Sequence, residues 1–417
     1  MSHLSNRLMA ASALALLAAA PALAQESGIG RPGEPIIIDQ LQTGDIWSNM
    51  NVVVPEETDY AISTATSSGN AAAALVASGD VYAEANQENT GNVGAEARLE
   101  GGLVYGQAST VATAYGNSAT STTEDGNSHV RSSQTMRGDT TASVEMELLG
   151  GNSVSSSSTA IANAVSSHAE YGDHYAEHEQ YAEGSVTAST DADLCCDGTS
   201  ATFSTVAGGN AVTSTGETTT AIQNGTQTTA SGITLRGTTD LYMYEATNAV
   251  AASTVAGNSY VLENQYGYTS LGQDGAALEQ TNGAEVDAQT YVTAGSWNGY
   301  AVTSAYGVGN SALVSNYGSD TALYADQSNT GDVSAYASFD STSSNDGVAT
   351  LSSTAIGNAA TASLCNVCGD AVLSGSTRQV NSGNVYSSGT MTAPSSGGVV
   401  GSASAIGNSA TYQSGSS

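Results

Sequence analysis

The sequence contains no lysine and few large side chains, with only 2 Trp and 2 Phe among its 417 residues. Its 39 Asp and Glu residues far outnumber its 7 cationic residues, all of them arginine, and the net charge is −32. Nucleic acid is therefore excluded as a partner, because binding it requires cations that displace counterions from the phosphates. The scarcity of large side chains argues against a broad globular core and favours either a disordered chain or one stacked in thin layers.

Long apolar runs are also rare, and the clearest one lies near the N-terminus. Arg7 precedes the apolar segment 8–20, and small residues follow up to Ala24. This is the pattern of a secretory signal peptide, so we predict that residues 1–24 are removed on export. No later run has the length that a membrane-spanning helix needs.

A motif of Gly-Asn followed by a small residue recurs along the mature chain. Its asparagines are 47, 46, 47, 48, 52, 48 and 50 residues apart, which identifies a repeat array. Glutamines recur 17 residues after the asparagine in most repeats, while Gln280 and Gln379 follow after 22 and 21 residues because of small insertions. We expect these amide side chains to form structural ladders along the array. The ladder residues are Asn70, Asn117, Asn163, Asn210, Asn258, Asn310, Asn358 and Asn408, with Gln87, Gln134, Gln180, Gln227 and Gln327.

Between these landmarks Thr, Val, Tyr, Ser and Ala alternate over short runs, as in 332–337. Alternation with period two predicts strands, and the Gly and Asn residues between the runs predict turns. The fold class is therefore predicted to be all-β, a parallel β-helix-like β-solenoid of about seven 46–52-residue repeats. Because each repeat contains two similar halves, we expect two coils per repeat and a rod of roughly 65 to 70 Å; one broad coil would give half that length.

The repeats also define the domain organisation. Residues 25–60 lack the motif and contain Pro32, Pro35 and Pro55, so we interpret them as an N-terminal cap. Residues 61–408 form the predicted repeat domain, and residues 409–417 a polar C-terminal tail.

The motifs resemble those of known surface proteins. The phrase Gln-x-x-x-Gly-Asn-x-x-Ala at 87–95 resembles the repeat of curlin subunits, and 353–358 resembles the head repeats of trimeric autotransporter adhesins. The combination of signal peptide, acidic lysine-free chain and Gly-Asn repeats resembles the holdfast-anchoring protein D (HfaD) family of stalked alphaproteobacteria, over nearly all of the mature chain. This resemblance implies a protein on the extracellular face of the outer membrane that anchors an adhesive polysaccharide, the holdfast. It also implies other envelope anchor proteins and a curli-like outer-membrane secretion pore as partners.

One repeat carries histidines and carboxylates between residues 168 and 179. On a strand, His174 and His178 share one face while Glu177 and Glu179 point the other way. The two histidines are candidates for a weak metal site or a pH sensor. The alternative is a solvated face that happens to carry histidines.

The cysteines and the acidic turns permit further interpretations. In an exported protein, Cys365-x-x-Cys368 favours a local disulfide over zinc or redox chemistry. Acidic turns at Asp80, Asp332 and Asp370 could bind stabilising Ca²⁺, although solvated turns are the default. No other cofactor is expected.

The sequence thus predicts a structural or adhesive protein with no catalytic residue. Repeated weak contacts would bind surface polysaccharide, and main-chain pairing at an open end would allow self-association. The alternative is a biofilm-matrix, surface-layer or curli-like fibre protein with calcium as a stabiliser. A β-helical polysaccharide-degrading enzyme is less favoured, because no paired carboxylates stand out.

Overall fold

The computed structural model describes residues 36–195, 198–343, 347–366, 371–394 and 396–416. These residues form strands and turns and no helix, so no described helix could cross a membrane. The predicted signal peptide and residues 25–35 lie outside the described part. The strands are β1 (Ile36–Gln42), β2 (Ile46–Val76), β3 (Val81–Asn89), β4 (Val93–Thr123), β5 (Ser128–Met136), β6 (Thr140–Ala182), β7 (Val186–Leu194), β8 (Gly198–Thr229), β9 (Thr234–Gln265), β10 (Thr269–Leu271), β11 (Leu278–Asn282), β12 (Glu285–Trp297), β13 (Tyr300–Tyr317), β14 (Thr321–Asn329), β15 (Val333–Ser341), β16 (Val348–Asn366), β17 (Leu373–Asn381), β18 (Val385–Thr392) and β19 (Gly398–Ser416).

Strand pairing confirms the predicted all-β solenoid and corrects the number of coils per repeat. The paired strands run parallel, and each residue pairs with one a full repeat further on, as Asn70 does with Asn117. Two coils per repeat would instead pair residues about half a repeat apart. The prediction of two coils was therefore wrong, and each repeat forms one broad coil.

The two similar halves of a repeat face each other across the interior. In one coil, β3 and the first part of β4 form one side, and the rest of β4 returns along the other. The side-chain amide of Gln87 bridges the two sides, donating to the carbonyl oxygen of Ser118 at 2.9 Å. Seven coil spacings separate the first and last motif asparagines, which gives a rod of roughly 34 Å at about 4.8 Å per coil.

The interior contains two main hydrophobic columns, built mostly from small and medium side chains with a few buried aromatic rings. One contains Ala65, Val93 and Leu99, and the other contains Ala72 and Leu278. In the coils from Asn70 to Asn358 the motif asparagine falls in the sequence between a residue of the first column and a residue of the second. Polar ladders therefore run along the boundary between the columns, and mainly Ala, Val and Leu fill the narrow space on either side.

Both ends of the described chain belong to the solenoid, whereas the sequence was interpreted as a separate N-terminal cap and a C-terminal tail. Residues 36–60 belong to the first coil, because β1 and β2 pair in register with β3 and β4. They do not form a separate cap, although they lack the Gly-Asn motif. Likewise, residues 409–416 are not a tail, because they continue β19 and pair with β16.

The glycine of the Gly-Asn motif is required where the two sides approach closely. A Cβ on Gly116 would lie 2.5 Å from Sδ of Met136 and 2.5 Å from the carbonyl oxygen of Ala162 in the next coil. Ala162 itself replaces the motif glycine in its coil. The residue in register with Met136 there is Ala182, so the coil combines a small residue on each side.

One coil carries an insertion on its outer surface. The chain leaves β10 at Leu271 and re-enters the sheet at Leu278, and both β10 and β11 pair with β8 and β14. The main chain of Gln273 and Ala276 exchanges two hydrogen bonds of 2.9 and 3.0 Å, which close a tight loop. This insertion accounts for the longer step of 52 residues between Asn258 and Asn310.

Candidate functional site

The motif asparagines form one continuous hydrogen-bonded ladder inside the solenoid. In each coil Nδ2 donates to Oδ1 of the next asparagine at 2.7–2.8 Å, from Asn70 through to Asn408. The second N–H of each amide that donates in this ladder bonds a carbonyl oxygen on the opposite side at 2.8–2.9 Å. Buried amides with both N–H groups bonded stabilise the coil stack and fix its register.

The glutamines form a second ladder with the opposite direction of donation. Nε2 of each glutamine donates to Oε1 of the preceding one at 2.7–2.8 Å, so the bonds run from Gln379 back to Gln40. Gln280 and Gln379 stay in register despite their shifted spacing, because the insertions are confined to loops. Gln40 was missed in the sequence because the glutamines were counted forward from a motif asparagine, and no motif asparagine precedes Gln40.

A third, partial ladder was also missed. Asn282 donates to Asn329, and Asn329 donates to Asn381, each at 2.7 Å. Asn89 is equivalent in an early coil, but Met136, Ala182 and Thr229 lie between it and Asn282, which hides the pattern in the sequence. The signal that could have revealed it is the Asn-x-Gly spacing shared by the phrases at Asn329 and Asn381.

The two histidines proposed as a metal site lie inside the solenoid. His174 and His178 point inward, while Glu177 and Glu179 are exposed on the outer face. Nδ1 of His178 lies 2.8 Å from Oγ of Ser132. Nδ1 of His174 and Nε2 of His178 are buried without a hydrogen-bond partner.

Burial makes both histidines neutral at physiological pH. Desolvation, with a smaller effect of the charges of His168 and His129, lowers the pKa of His174 to about 4. Desolvation and His174 lower the pKa of His178 to about 3. Within the described ranges no three His, Cys, Asp or Glu side chains are placed to hold a metal ion. A metal role for His174 and His178 stays a prediction.

The proposed disulfide between Cys365 and Cys368 stays a prediction, because Cys368 lies outside the described residues.

The acidic turns have a defined structural role. Oδ1 of Asp80 accepts the backbone N–H of Asn127 at 3.1 Å, and Oδ1 of Asp332 accepts that of Asn384 at 2.8 Å. Each carboxylate thus satisfies a turn in the next coil. Asp370 is not described, and calcium binding at these turns stays a prediction that the effect of EDTA on thermal unfolding would test.

The outer surface is strongly acidic, and its few cations are neutralised. The described arginines each lie within 4.0 Å of a carboxylate: Arg98, Arg131, Arg137, Arg236 and Arg378. The surface therefore lacks the cationic character that would attract a polyanion.

Sequence reasoning missed an aromatic stack on this surface. Tyr82, His129 and Tyr175 occupy equivalent outward positions in three successive coils. Their ring centroids are 5.1 and 4.8 Å apart, with interplanar angles of 15° and 24°. They are separated by 47 and 46 residues, the same steps as the motif asparagines. That spacing could have revealed the stack.

The fold and its ladders define a class of protein. It is a β-solenoid whose interior side chains hold the stacked coils together and whose outer surface is available for binding. Residues 55–333 and 318–417 match the family model of holdfast attachment protein D, and the chain belongs to this family. It is therefore a holdfast-related attachment protein of the cell surface or envelope, and the family is not one known for enzymes. No curated protein and no solved structure matches the chain significantly.

Proposed function

We propose that this protein anchors an adhesive polysaccharide to the cell envelope, on the extracellular face of the outer membrane. The observation that carries the proposal is the continuous amide ladder, which joins every motif coil into one stiff body and leaves the outer side chains free to bind. Membership of the holdfast attachment family supports the polysaccharide as the bound partner.

Attachment under shear favours a rod of this kind. Each coil is hydrogen-bonded to its neighbours along its length, so a pulling force is shared over many bonds. Outward positions recur in every coil, so several weak contacts to one polymer add up through multivalency. The rod is about half as long as the sequence suggested, which favours a compact linker over a long spacer.

Export and envelope partners complete the proposal. The predicted signal peptide would direct the chain to export, and the net charge of −32 would keep it soluble until assembly. We expect a curli-like outer-membrane secretion pore to export it and other envelope anchor proteins to hold it.

Self-association is a further part of the proposal. Within the described residues, no strand pairs with the outer edge of β19. Val399 and Val400 in this strand are more than half exposed. A parallel edge with exposed apolar side chains can pair with a strand from another chain.

The test is deletion of the gene in its host, with the gene restored as the control. Surface adhesion is measured, and shed polysaccharide is stained with lectin. We expect the deletion strain to detach and leave polysaccharide on the surface, and the restored strain to adhere. Unchanged adhesion of the deletion strain would overturn the proposal and favour a matrix or surface-layer role.

A further inference from the structure

A trough runs along the solenoid axis on the outer surface of four successive coils. One wall consists of the row Tyr82, His129, Tyr175 and Ile222, and the other of the row Glu84, Arg131, Glu177 and Asn224. The backbone of the residues between the rows forms the floor. The cavity volume is about 460 Å³, and the trough is about 14 Å long, from three coil spacings.

The aromatic wall is fixed in place before any ligand binds. Tyr82, His129 and Tyr175 stack face to face at the coil spacing, so each ring restrains its neighbours. Their edges and polar tips face the trough and the solvent. Such rings offer apolar contact and hydrogen bonds at a low cost in conformational entropy.

The opposite wall offers charged hydrogen-bonding groups that can rearrange. Nε of Arg131 lies 3.6 Å from a carboxylate oxygen of Glu177, and both side chains are more than half exposed. Exposed ion pairs of this kind are weak, so either partner can turn towards a ligand hydroxyl or amide. Glu84 and Glu177 leave this wall with a net negative charge.

The trough coincides with a local departure from the repeat. The insertion between β10 and β11 brings Gln273 to the end of the trough, where it joins the lining. In the later coils, the positions in register with Tyr82 hold Ser270 and Ala322, so the aromatic row is confined to the early coils. Inward residues repeat because stacking demands it. Outward positions are free of that constraint, so an aromatic cluster at such positions is compatible with a local binding role.

We propose that this trough is the glycan-binding site of the protein, and that it takes one segment of a polysaccharide without anionic groups, lying along the solenoid axis. This inference rests on the proposed function and locates its binding surface. The aromatic row gives the pyranose rings apolar contact area and tyrosine hydroxyls, while the carboxylate, guanidinium and amide groups bond their hydroxyls. A polyanion is excluded by the two glutamates of the wall and by the acidic surface around them.

The test uses the full exported chain and surface polysaccharide purified from the host, with affinity measured by biolayer interferometry. Tyr82→Ala/Tyr175→Ala is the site variant. Tyr242→Ala/Tyr244→Ala is the matched control, because these tyrosines are exposed outside the trough. We expect the site variant to lose at least tenfold in affinity and the control to stay within twofold. A polyanionic polysaccharide, alginate, serves as the comparison ligand and should bind to none of the three proteins, the wild type and the two variants.

A second variant guards against misfolding of the first. Glu84→Trp narrows the trough from an outward position and leaves the interior unchanged, so it too should lose at least tenfold in affinity. If the wild type binds the polysaccharide and both trough variants bind equally well, the trough is not the site, although the attachment function stands. If the wild type binds no host polysaccharide, direct glycan attachment fails and the trough proposal fails with it.

Discussion

Asn163 donates a hydrogen bond of 2.8 Å from Nδ2 to Oδ1 of Asn210, one full coil further along the solenoid. This bond joins two residues that are 47 positions apart in the sequence and equivalent in the repeat. The amide at each position both receives and donates along the axis. The interior ladder therefore transmits register from coil to coil, and its loss should be costly in the middle of the array.

Replacing Asn210 by Ala tests the ladder. The change leaves the carbonyl oxygen of Thr228 and Oδ1 of Asn258 without their donor, and Asn163 without its acceptor. We expect a loss of about 2–4 kcal/mol in the free energy of unfolding, because each buried unsatisfied group costs about 1–3 kcal/mol. Urea denaturation followed by circular dichroism measures it. Asn408→Ala is the control at the end of the ladder. Its side chain is partly exposed, so this change should reduce the free energy of unfolding by less. Equal losses for the two variants would contradict the role of the ladder.

Replacing the motif glycine Gly309 by Ala tests the close approach of the two sides. The added Cβ would lie 2.4 Å from Oδ1 of Asn329 and 2.5 Å from the carbonyl oxygen of Gly357. Overpacking of this kind destabilises by about 1–3 kcal/mol. The reverse change Ala162→Gly is the control and should cost at most about 1 kcal/mol. Thermal unfolding compares the two, and a harmless Gly309→Ala would show that the sides can separate freely.

The buried histidines predict a loss of stability on acidification. His174 and His178 have folded pKa values of about 4 and about 3, below the ordinary value of 6.5. The unfolded state therefore binds more protons, and the stabilisation present above pH 6.5 is lost as the pH falls from 6.5 towards 3. Unfolding free energies measured between pH 7 and pH 3.5 check the slope.

The matched variant for this pH effect is His174→Ser/His178→Ser. It introduces the residues that the preceding coil has at the equivalent positions, Ser128 and Ser132. The surface carboxylates are the same in both proteins, so the difference between the two pH profiles isolates the histidines. We expect a flatter profile for the variant between pH 6.5 and pH 4. Parallel profiles would mean that the histidines become protonated in the folded state.

The two tryptophans differ in burial, so replacing each by Ala should reduce the free energy of unfolding by very different amounts. Trp297 is fully buried and packs edge-on against Phe339 with ring centroids 5.0 Å apart, whereas Trp47 is 62% exposed in the first coil. Trp297→Ala should cost about 3–5 kcal/mol, because it leaves a large cavity. Trp47→Ala should cost less than about 1 kcal/mol. Denaturant midpoints measured by circular dichroism compare the stability of the two variants. Similar midpoints would contradict the burial of Trp297.

The spacing and alternation of residues are enough to predict the strand content, the repeat length and the main ladders. The spacing of Asn70 and Asn117 by one repeat is enough to bring their two amides together once each repeat forms one turn of a solenoid. Strand alternation likewise placed His174 and His178 on one face, because successive side chains of a strand point to opposite sides. These properties are local or strictly periodic, so they can be read from the order of residues.

The arrangement of the two halves of a repeat, and the face of the strand that is buried, could not be predicted in this way. Two similar halves can stack on each other or face each other, and their strand pattern is the same in both cases. The choice depends on contacts across the interior, such as the bond from Gln87 to Ser118. The trough arises in the same way, since Tyr82, Tyr175 and Gln273 line one surface only when the coils are in register and the insertion reaches the end of the trough. Burial and neighbourhood depend on packing between distant segments, and a local pattern does not contain that information.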